Sequence, residues 1–262
     1  ASTSVLNTTE IACKRGLFSI AATSAYNGIS TNLSSIDDQV TRLYNSLVAF
    51  DQMATLFYNH KGLSDNPAEA IDKTPSSYIN IRAMRMFDGA FMYAGGDHIG
   101  IGHGSAPGMV QGRPNTVING EVTTTGFFGW GISHEIGHQI NQGKIAYAEV
   151  TNNIFALLAQ TSDDKAAARI EPRYEKIYQK VTSNTIGKSS DVFTTLAMYW
   201  QLHLAYDDAA TYTDTNSIYA KMNKEMRRVS LSGFSTDESL IVYASLAAGK
   251  DLSEHFEKWG LV

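Results

Sequence analysis

His134-Glu135-Ile136-Gly137-His138 is the most informative run of the chain. If this segment is helical, the two histidines lie four residues apart on one face, about one turn from each other. Their ring nitrogens can then reach one cation at bonding distances of about 2.0–2.1 Å. Glu135 lies beside this pair, where its carboxylate can take a proton from a water molecule next to the cation. The run predicts a catalytic metal centre with His134 and His138 as ligands and Glu135 as general base.

The flanking sequence favours a helix here. Residues 127–132 are apolar and glycine-rich, and Gly143 suits a helix end. A second stretch with helical apolar spacing, residues 146–160, carries Glu149 near its start. Two helices joined by a turn can return Glu149 to the histidines. Catalytic zinc takes three protein ligands and keeps one position open, so Glu149 is the predicted third ligand. The alternative is a solvated helix face that matches the pattern by chance.

The spacing of the ligands separates two classes of zinc peptidase. A metzincin needs glycine at position 141 and histidine at position 144, whereas this chain has Asn141 and Lys144. A glutamate on a following helix is instead typical of the gluzincins, in which an acid four residues beyond the ligand glutamate orients a ligand histidine. Asn153 occupies that place, and its amide oxygen can accept the histidine N–H. We therefore expect Asn153 to support the metal ligands, with an ordinary polar helix residue as the alternative.

Several segments together resemble a known family. They are Gly129-Trp130-Gly131, the H-E-x-x-H run, residues 149–155 and the closing segments 249–253 and 256–261. This pattern resembles peptidase family M60, the enhancin-like and mucin-degrading metallopeptidases, most strongly over the second half of the chain. The resemblance implies a zinc endopeptidase of the gluzincin type with one Zn²⁺ ion. It further implies mucin-like glycoprotein substrates, in several members with an O-linked sugar beside the scissile bond, and a secreted or cell-surface location, typically bacterial.

The composition restricts the remaining possibilities. With 262 residues, 43% of them hydrophobic, the chain can bury a full core as one large domain or as a domain with a small appendage. Together with the site and the resemblance, we expect a single catalytic domain, 1–262. A net charge of −5 without any basic run argues against nucleic-acid binding. No apolar run suggests membrane insertion, and no signal peptide is visible in this chain. The single cysteine, Cys13, excludes an intrachain disulfide, which suits a cytosolic protein or an exported bacterial one.

The apolar patterning predicts an α+β fold on the gluzincin (thermolysin-like) plan, with a mixed lobe over 1–126 and, over 127–262, the active-site helix followed by a helical lobe. Strands are expected at 78–86, 90–93 and 98–101. An edge strand that pairs with substrate could lie at 97–103 or at 117–119, with a plain structural hairpin as the alternative. Helices are expected at 36–57, with a stripe from Ile36 and Val40 onward, and at 191–206, 217–229 and 236–247.

Further site residues are less sharply defined. A donor is needed to stabilise the tetrahedral oxyanion, and the candidates are Tyr199, His203 and Tyr147, each of which could equally be a packed aromatic residue. Trp130 could present its indole face to a sugar ring, with core packing as the alternative. Arg113, or else Arg169 or Arg173, could supply polar contacts to a glycan.

Two rival functions remain open, together with one variant of the predicted peptidase activity. The first rival is an inactive relative that binds glycoprotein without cutting it, which the intact Glu135 and the three ligands disfavour. The second is a structural zinc site, which normally uses four ligands rich in cysteine. A zinc peptidase without any glycan requirement is the third possibility.

Overall fold

The computed structural model describes residues 6–118, 121–123, 126–141, 143–162, 169–183, 189–208 and 214–261. These residues have a mixed α+β fold, as the sequence predicts. The chain divides into two compact units: unit 1 contains residues 1–55, 76–139 and 159–164, and unit 2 contains residues 56–75, 140–158 and 165–262. The organisation into a single catalytic domain with a change of character at residue 127 stays a prediction.

Unit 1 is built on a five-stranded sheet of order β1-β2-β3-β5-β4. The pairs β2–β3 and β3–β5 are parallel, while β1 and β4 run antiparallel at the two edges. Side chains of β2 alternate between buried and half-buried positions, which places Phe18 and Ile20 in the core. The strands are β1 (Thr8–Ala12), β2 (Gly16–Ala21), β3 (Ile79–Met84), β4 (Met92–Ala94) and β5 (Ile99–Gly102). A separate hairpin contains β6 (Thr116–Ile118) and β7 (Glu121–Thr123).

The prediction of an edge strand at 97–103 is wrong, because β5 lies inside the sheet between β3 and β4. On this side of the sheet the edge strand is β4. Gly100 is glycine for a packing reason: a Cβ there would lie 2.1 Å from the ring of Tyr93, its partner across the ladder. The alternative edge at 117–119 falls in the β6–β7 hairpin, and Asn119 lies outside the described residues.

Two helices precede β3, namely α1 (Ala22–Ser30) and α2 (Ile36–His60). The helix expected at 36–57 is confirmed and runs one turn further. Its expected apolar stripe is wrong at the start, since Ile36 and Val40 are 74% and 61% exposed. Burial begins later, where Phe50 packs edge-to-face against Phe18 at 4.9 Å and against Phe128 at 5.7 Å in unit 1.

Unit 2 is mainly helical. Three expected helices are confirmed with their side-chain caps: Asp191 caps one, Ser217 the next, and Ser235 with Glu238 forms a capping box on the third. The helices after α3 (Gly129–Ile140) are α4 (Asn153–Ser162), α5 (Tyr174–Thr182), α6 (Val192–Tyr206), α7 (Ile218–Arg228), α8 (Thr236–Ala248) and α9 (Ser253–Lys258). Residues 159–162 of α4 belong to unit 1. Over the described ranges, no helix combines the length and apolarity needed to cross a bilayer.

Candidate metal centre

The H-E-x-x-H run lies on α3, as predicted. The helix begins at Gly129, whose φ of 78° is a backbone conformation that glycine adopts at little cost. Ser133 donates from Oγ to the carbonyl oxygen of Gly129 at 3.1 Å, which secures the first turn. Ile132 and Ile136 are fully buried and fix the inward face of the helix. That packing sets the rotation of α3 about its own axis and hence the direction of its polar face.

His134 and His138 converge. Their Nε2 atoms lie 3.2 Å apart, and their rings are nearly perpendicular with centroids 4.8 Å apart. Two nitrogens bound to one tetrahedral zinc at about 2.0–2.1 Å each would lie roughly 3.3 Å apart. The observed separation therefore fits a shared cation, and imidazole is a ligand that zinc prefers.

Glu135 completes this cluster. One ligand atom from each of His134, Glu135 and His138 lies within 4.8 Å of the others, and this group meets the geometric requirement for holding a metal ion. Glu135 is 9% exposed, whereas both histidines are half-buried. A carboxylate at this position is near enough to the cation site to exchange protons with a water molecule there, without having to serve as a ligand itself.

The edge strand β4 approaches the first turn of α3 within unit 1. A Cβ on Gly131 would lie 2.9 Å from the sulfur of Met92 and 3.7 Å from the ring of Phe91. The glycine therefore permits a close approach between the helix and the start of β4. Phe91 is 66% exposed at this point, and its carbonyl oxygen accepts the N–H of Gly102 at 2.9 Å.

Glu149 does not lie on a helix, so the expected helix over 146–160 is wrong in its first part. The helix α4 begins only at Asn153, and Glu149 occupies an exposed position in the preceding turn. Its φ is 61°, in the left-handed region that costs a residue with a side chain roughly 1–2 kcal/mol. The turn is closed by hydrogen bonds from the N–H groups of Val150 and Thr151 to the carbonyl oxygen of Tyr147, at 3.1 and 3.0 Å. Helical periodicity alone could not reveal this turn.

Asn153 and Tyr147 hold the turn that carries Glu149. Asn153 is buried and donates from Nδ2 to the carbonyl oxygen of Glu149 at 2.6 Å. The N–H of Tyr147 donates to Oγ1 of Thr151 at 3.0 Å. Both residues therefore contact the backbone around Glu149. The support of a ligand histidine by Asn153, and oxyanion stabilisation by Tyr147, stay predictions.

His203 and Tyr199 have different surroundings within α6 of unit 2. Nδ1 of His203 lies 2.9 Å from Oδ2 of Asp207, a carboxylate whose side chain is only 1% exposed. Asp207 also accepts the N–H of Ile218 at 2.7 Å, which holds the carboxylate in place. Tyr199 is 1% exposed, and burial raises the pKa of its hydroxyl well above the usual value. Sequence reasoning missed Asp207, although its position four residues after His203 was a usable signal.

The proposed sugar-binding residues lie in unit 1. Trp130 is half-buried in the first turn of α3. Arg113 is exposed, and its backbone N–H donates to the carbonyl oxygen of Gly126 at 2.9 Å. In unit 2, by contrast, Arg173 forms an ion pair with Asp191 at 3.0 Å. Contact of Trp130 and Arg113 with a glycan stays a prediction.

Comparison with known protein families gives one match over nearly the whole chain. The model of the family described as Peptidase M60, enhancin and enhancin-like, matches residues 9–260. The chain belongs to this family. The resemblance seen in the sequence is therefore confirmed, and the M60 family is one of metallopeptidases, in keeping with the H-E-x-x-H cluster on α3. None of the curated proteins matches the chain significantly.

Solved structures of M60 catalytic domains share the fold. The chain is similar to the M60 catalytic domain of ZmpC from Clostridium perfringens, described in complex with the sialyl T antigen, with a TM-score of 0.73 and 22% identity over 97% of this chain and 46% of that one. It is similar to ZmpB metallopeptidase of the same organism, with a TM-score of 0.73 and 23% identity over 97% and 46%. A metallopeptidase from Bacteroides thetaiotaomicron gives 0.71 and 18% over 99% and 42%. The chain thus spans about half the length of these structures.

Proposed function

We propose that the protein is a zinc endopeptidase that hydrolyses peptide bonds in mucin-like, O-glycosylated proteins. The observation that carries this proposal is the 3.2 Å separation of the Nε2 atoms of His134 and His138, with Glu135 in the same cluster. Two imidazoles at that separation suit one zinc ion, and a carboxylate beside them supplies the base that hydrolysis needs.

His134, His138 and Glu149 would hold the zinc ion. When bound there, zinc would act as a Lewis acid that favours deprotonation of a water molecule and polarises the carbonyl of the scissile bond. Support for Glu149 comes from its own backbone, since a strained residue at a position that tolerates glycine calls for a functional reason. Asn153 would keep the Glu149 turn in shape through its bond to the Glu149 carbonyl oxygen.

Glu135 would act as general base and then as general acid. Its carboxylate takes the proton of the attacking water as the new C–O bond forms. It then passes that proton to the amide nitrogen, which leaves as an amine when the C–N bond breaks. Because Glu135 is buried, bulk water competes little for its carboxylate.

His203 is the strongest of the three candidates for stabilising the oxyanion. Nδ1 of His203 lies 2.9 Å from the carboxylate of Asp207, which fixes the orientation of the ring, and a protonated ring would then offer the hydrogen on Nε2 to the substrate. This arrangement provides a charge-assisted hydrogen bond where negative charge develops on the substrate. Tyr199 is a weaker candidate because its hydroxyl is fully enclosed in unit 2.

An extended substrate would pair with the free edge of β4. This strand has a hydrogen-bonded neighbour, β5, on one side only, so its outward N–H and C=O groups can accept another strand. The close approach of Met92 to Gly131 supports this role, because a peptide on β4 would pass along the helix that carries His134 and His138.

Specificity for O-glycosylated substrates is the least direct part of the proposal. It is supported by the family, and by the solved ZmpC domain that is described in complex with the sialyl T antigen. Trp130 would stack on a sugar ring and Arg113 would contact a glycan. Some solved relatives carry CBM32 or CBM51 domains beside the M60 domain, which is consistent with an exported protein that meets its substrate outside the cell.

One set of measurements tests these points together. Protein purified without added metal should contain about one zinc per chain and should cleave mucin. Glu135→Gln should keep the zinc and lose about 10²–10⁴-fold in kcat, while the exposed control Glu257→Gln keeps both. Zinc binding without mucin cleavage by the wild type would favour the inactive glycoprotein-binding module. Cleavage of enzymatically deglycosylated mucin at an equal rate would establish a zinc peptidase without a glycan requirement.

A further inference from the structure

A polar pocket of about 380 Å³ lies on unit 1. Its wall contains the turn between α1 and α2, the outer face of α2, and the loop that follows the 3₁₀ turn His103–Val110. The lining side chains that matter here are Asn32, Arg42, Asn45, Gln111 and Arg113. This volume is within the range of about 300–1,000 Å³ typical of small-molecule sites.

The charged side chains that line this pocket are all positive. Arg42 and Arg113 contribute two guanidinium groups, and no aspartate or glutamate is among the lining residues. The chain as a whole carries a formal net charge of −5, so the pocket is positive on a protein that is negative overall. Such a local excess attracts and orients an anionic group.

Hydrogen bonds hold the side chain of Arg42 in place but involve only one of its three guanidinium nitrogens. Its Nη1 donates to the carbonyl oxygens of Gly28, Ile29 and Thr31 at 3.3, 3.0 and 2.5 Å, at the carboxyl end of α1. These bonds hold the guanidinium plane in one orientation. In the part of the chain that the structure describes, Nε and Nη2 of Arg42 have no partner, so they remain available to a ligand.

The loop that carries Arg113 is anchored residue by residue. From Gln111 to Asn115, every backbone N–H is bonded, Pro114 having none. The acceptors are the carbonyl oxygen of Gly108, Oγ of Ser46, the carbonyl oxygen of Gly126 and Oε1 of Gln52. The exposed side chain of Arg113 has no partner among the described residues. A rigid loop that presents an unpaired arginine loses little entropy when the arginine binds.

Amide side chains supply the rest of the lining. Asn32 and Asn45 make no side-chain hydrogen bond within the described ranges, and each offers both a donor and an acceptor. Sugar hydroxyls need that combination, whereas a bare anion needs donors alone. A pocket with fixed cations and unpaired amides, and with room for more than an inorganic anion, matches a sugar that also carries a negative group.

We propose that this pocket is an accessory site for a sugar residue bearing a carboxylate or a sulfate ester. Its floor is connected to the catalytic helix within unit 1, because a Cβ on Gly112 would lie 2.4 Å from the ring of Phe128, the residue before α3. His134 follows Gly129 by five residues, or roughly 7.5 Å along the helix axis. The site would hold an acidic sugar of a bound glycoprotein separately from the metal ligands; it deepens the glycan contact that the proposed function gives to Arg113 and in that respect rests on it.

Direct binding to the full chain tests this assignment without any cleavage step. The probes are N-acetylneuraminate, galactose 6-sulfate, galactose and inorganic sulfate, titrated against protein in solution by NMR. At least one of the two acidic sugars should bind about tenfold more tightly than galactose and inorganic sulfate, and added salt should weaken that binding. Arg113→Ala should reduce the affinity about tenfold and Arg113→Lys less, because lysine keeps the charge but not the planar donor array. Arg85→Ala, an exposed arginine of unit 1 outside the pocket, is the matched control.

Several results would overturn the proposal. Equal binding of galactose and both acidic sugars would remove the need for the arginines, and equal binding of inorganic sulfate would reduce the pocket to a simple anion site. An equal loss of affinity in Arg85→Ala would show that the overall charge of the protein, and not this pocket, attracts the acidic sugar. Thermal unfolding of each variant checks that Arg113 substitutions leave the fold intact. Because binding is measured directly, an absence of peptidase activity would contradict the proposed function and leave this inference standing.

Discussion

Gln139 donates a hydrogen bond from Nε2 to the carbonyl oxygen of Gly95, 3.3 Å away. Gly131 approaches Met92, so residues 92 and 95 contact α3 at positions 131 and 139 respectively. The eight steps from 131 to 139 rise about 12 Å in a helix, and the three steps from 92 to 95 span about 10 Å in a strand. The two lengths are similar, so the hydrogen bond from Gln139 ties the residue that follows β4 to the helix that carries both histidines.

Gln139→Ala should therefore weaken substrate binding more than chemistry. A single neutral hydrogen bond contributes about 1 kcal/mol, so we expect KM to rise roughly fivefold while kcat and zinc content stay the same. Steady-state kinetics on a peptide-bearing substrate would measure this. The control is Gln179→Ala on α5, and a fall in zinc content in Gln139→Ala would show that the residue acts on the metal site instead.

Substitution of Glu149 should reduce zinc binding without reducing the stability of the fold. Glycine adopts a φ of 61° without the steric cost borne by glutamate. The free energy of unfolding of Glu149→Gly should therefore be equal to that of the wild type or higher by up to about 1 kcal/mol. The same variant should lose zinc because its third ligand is gone. Zinc analysis and urea unfolding of the metal-free protein are the two measurements.

The comparison for this prediction is Asn32→Gly, since Asn32 has a similar φ of 57°. That variant should show a comparable change in stability with unaltered zinc content. If Glu149→Gly retained its zinc, another group would have to be the third ligand.

Local signals in the sequence were sufficient for much of this fold. The helical apolar spacing over 217–229 and 236–247 and the histidine spacing on α3 each specify a structure within a few residues, and each was predicted. Helix α1 and strands β1 and β2 were missed. They lie in a Ser- and Thr-rich opening where the decisive interactions, such as the pairing of β2 with β3, join distant parts of the chain.

Two features of the candidate site depended on information that periodicity does not contain. The edge position of β4 follows from strand order, which is set by pairing and by the close approach of Tyr93 to Gly100. The turn at Glu149 depends on one left-handed backbone angle stabilised by Asn153. Apolar spacing assigned that segment to a helix because Val150 and Ile154 are indeed buried, though the first lies in the turn.

The pair formed by His203 and Asp207 gives a kinetic prediction. Asp207→Asn keeps an oxygen that can accept the N–H of Ile218 but removes the negative charge beside Nδ1 of His203. We expect kcat to fall about 10- to 100-fold with little change in KM, since the interaction is made chiefly in the transition state.

The matched variant for this test is Asp214→Asn, an acid of the same unit that bonds locally to Asn216. It should leave both kinetic constants as they are. A normal kcat in Asp207→Asn and in His203→Gln would exclude His203 as the oxyanion donor and would favour Tyr147 in that role.

His60 should make the stability of the protein depend on pH. It is buried against Phe155 and Tyr219 in unit 2, with ring centroids 5.0 and 4.7 Å away, and burial, aided by the nearby charge of Lys61, lowers its pKa to about 3. The unfolded chain, with an ordinary histidine pKa near 6.5, binds a proton between pH 3 and 6.5 that the folded state does not. Stability therefore falls as the pH drops through that window, by at most about 1.4 kcal/mol per pH unit from this group.

Urea unfolding between pH 4 and 7 measures that slope. His60→Gln should flatten it even though the variant is less stable at pH 7, because the lost packing is independent of pH whereas the proton uptake is not. His103→Gln, at an exposed position of the 3₁₀ turn in unit 1, should keep the wild-type slope. A wild-type slope in His60→Gln would assign the acid sensitivity to other groups.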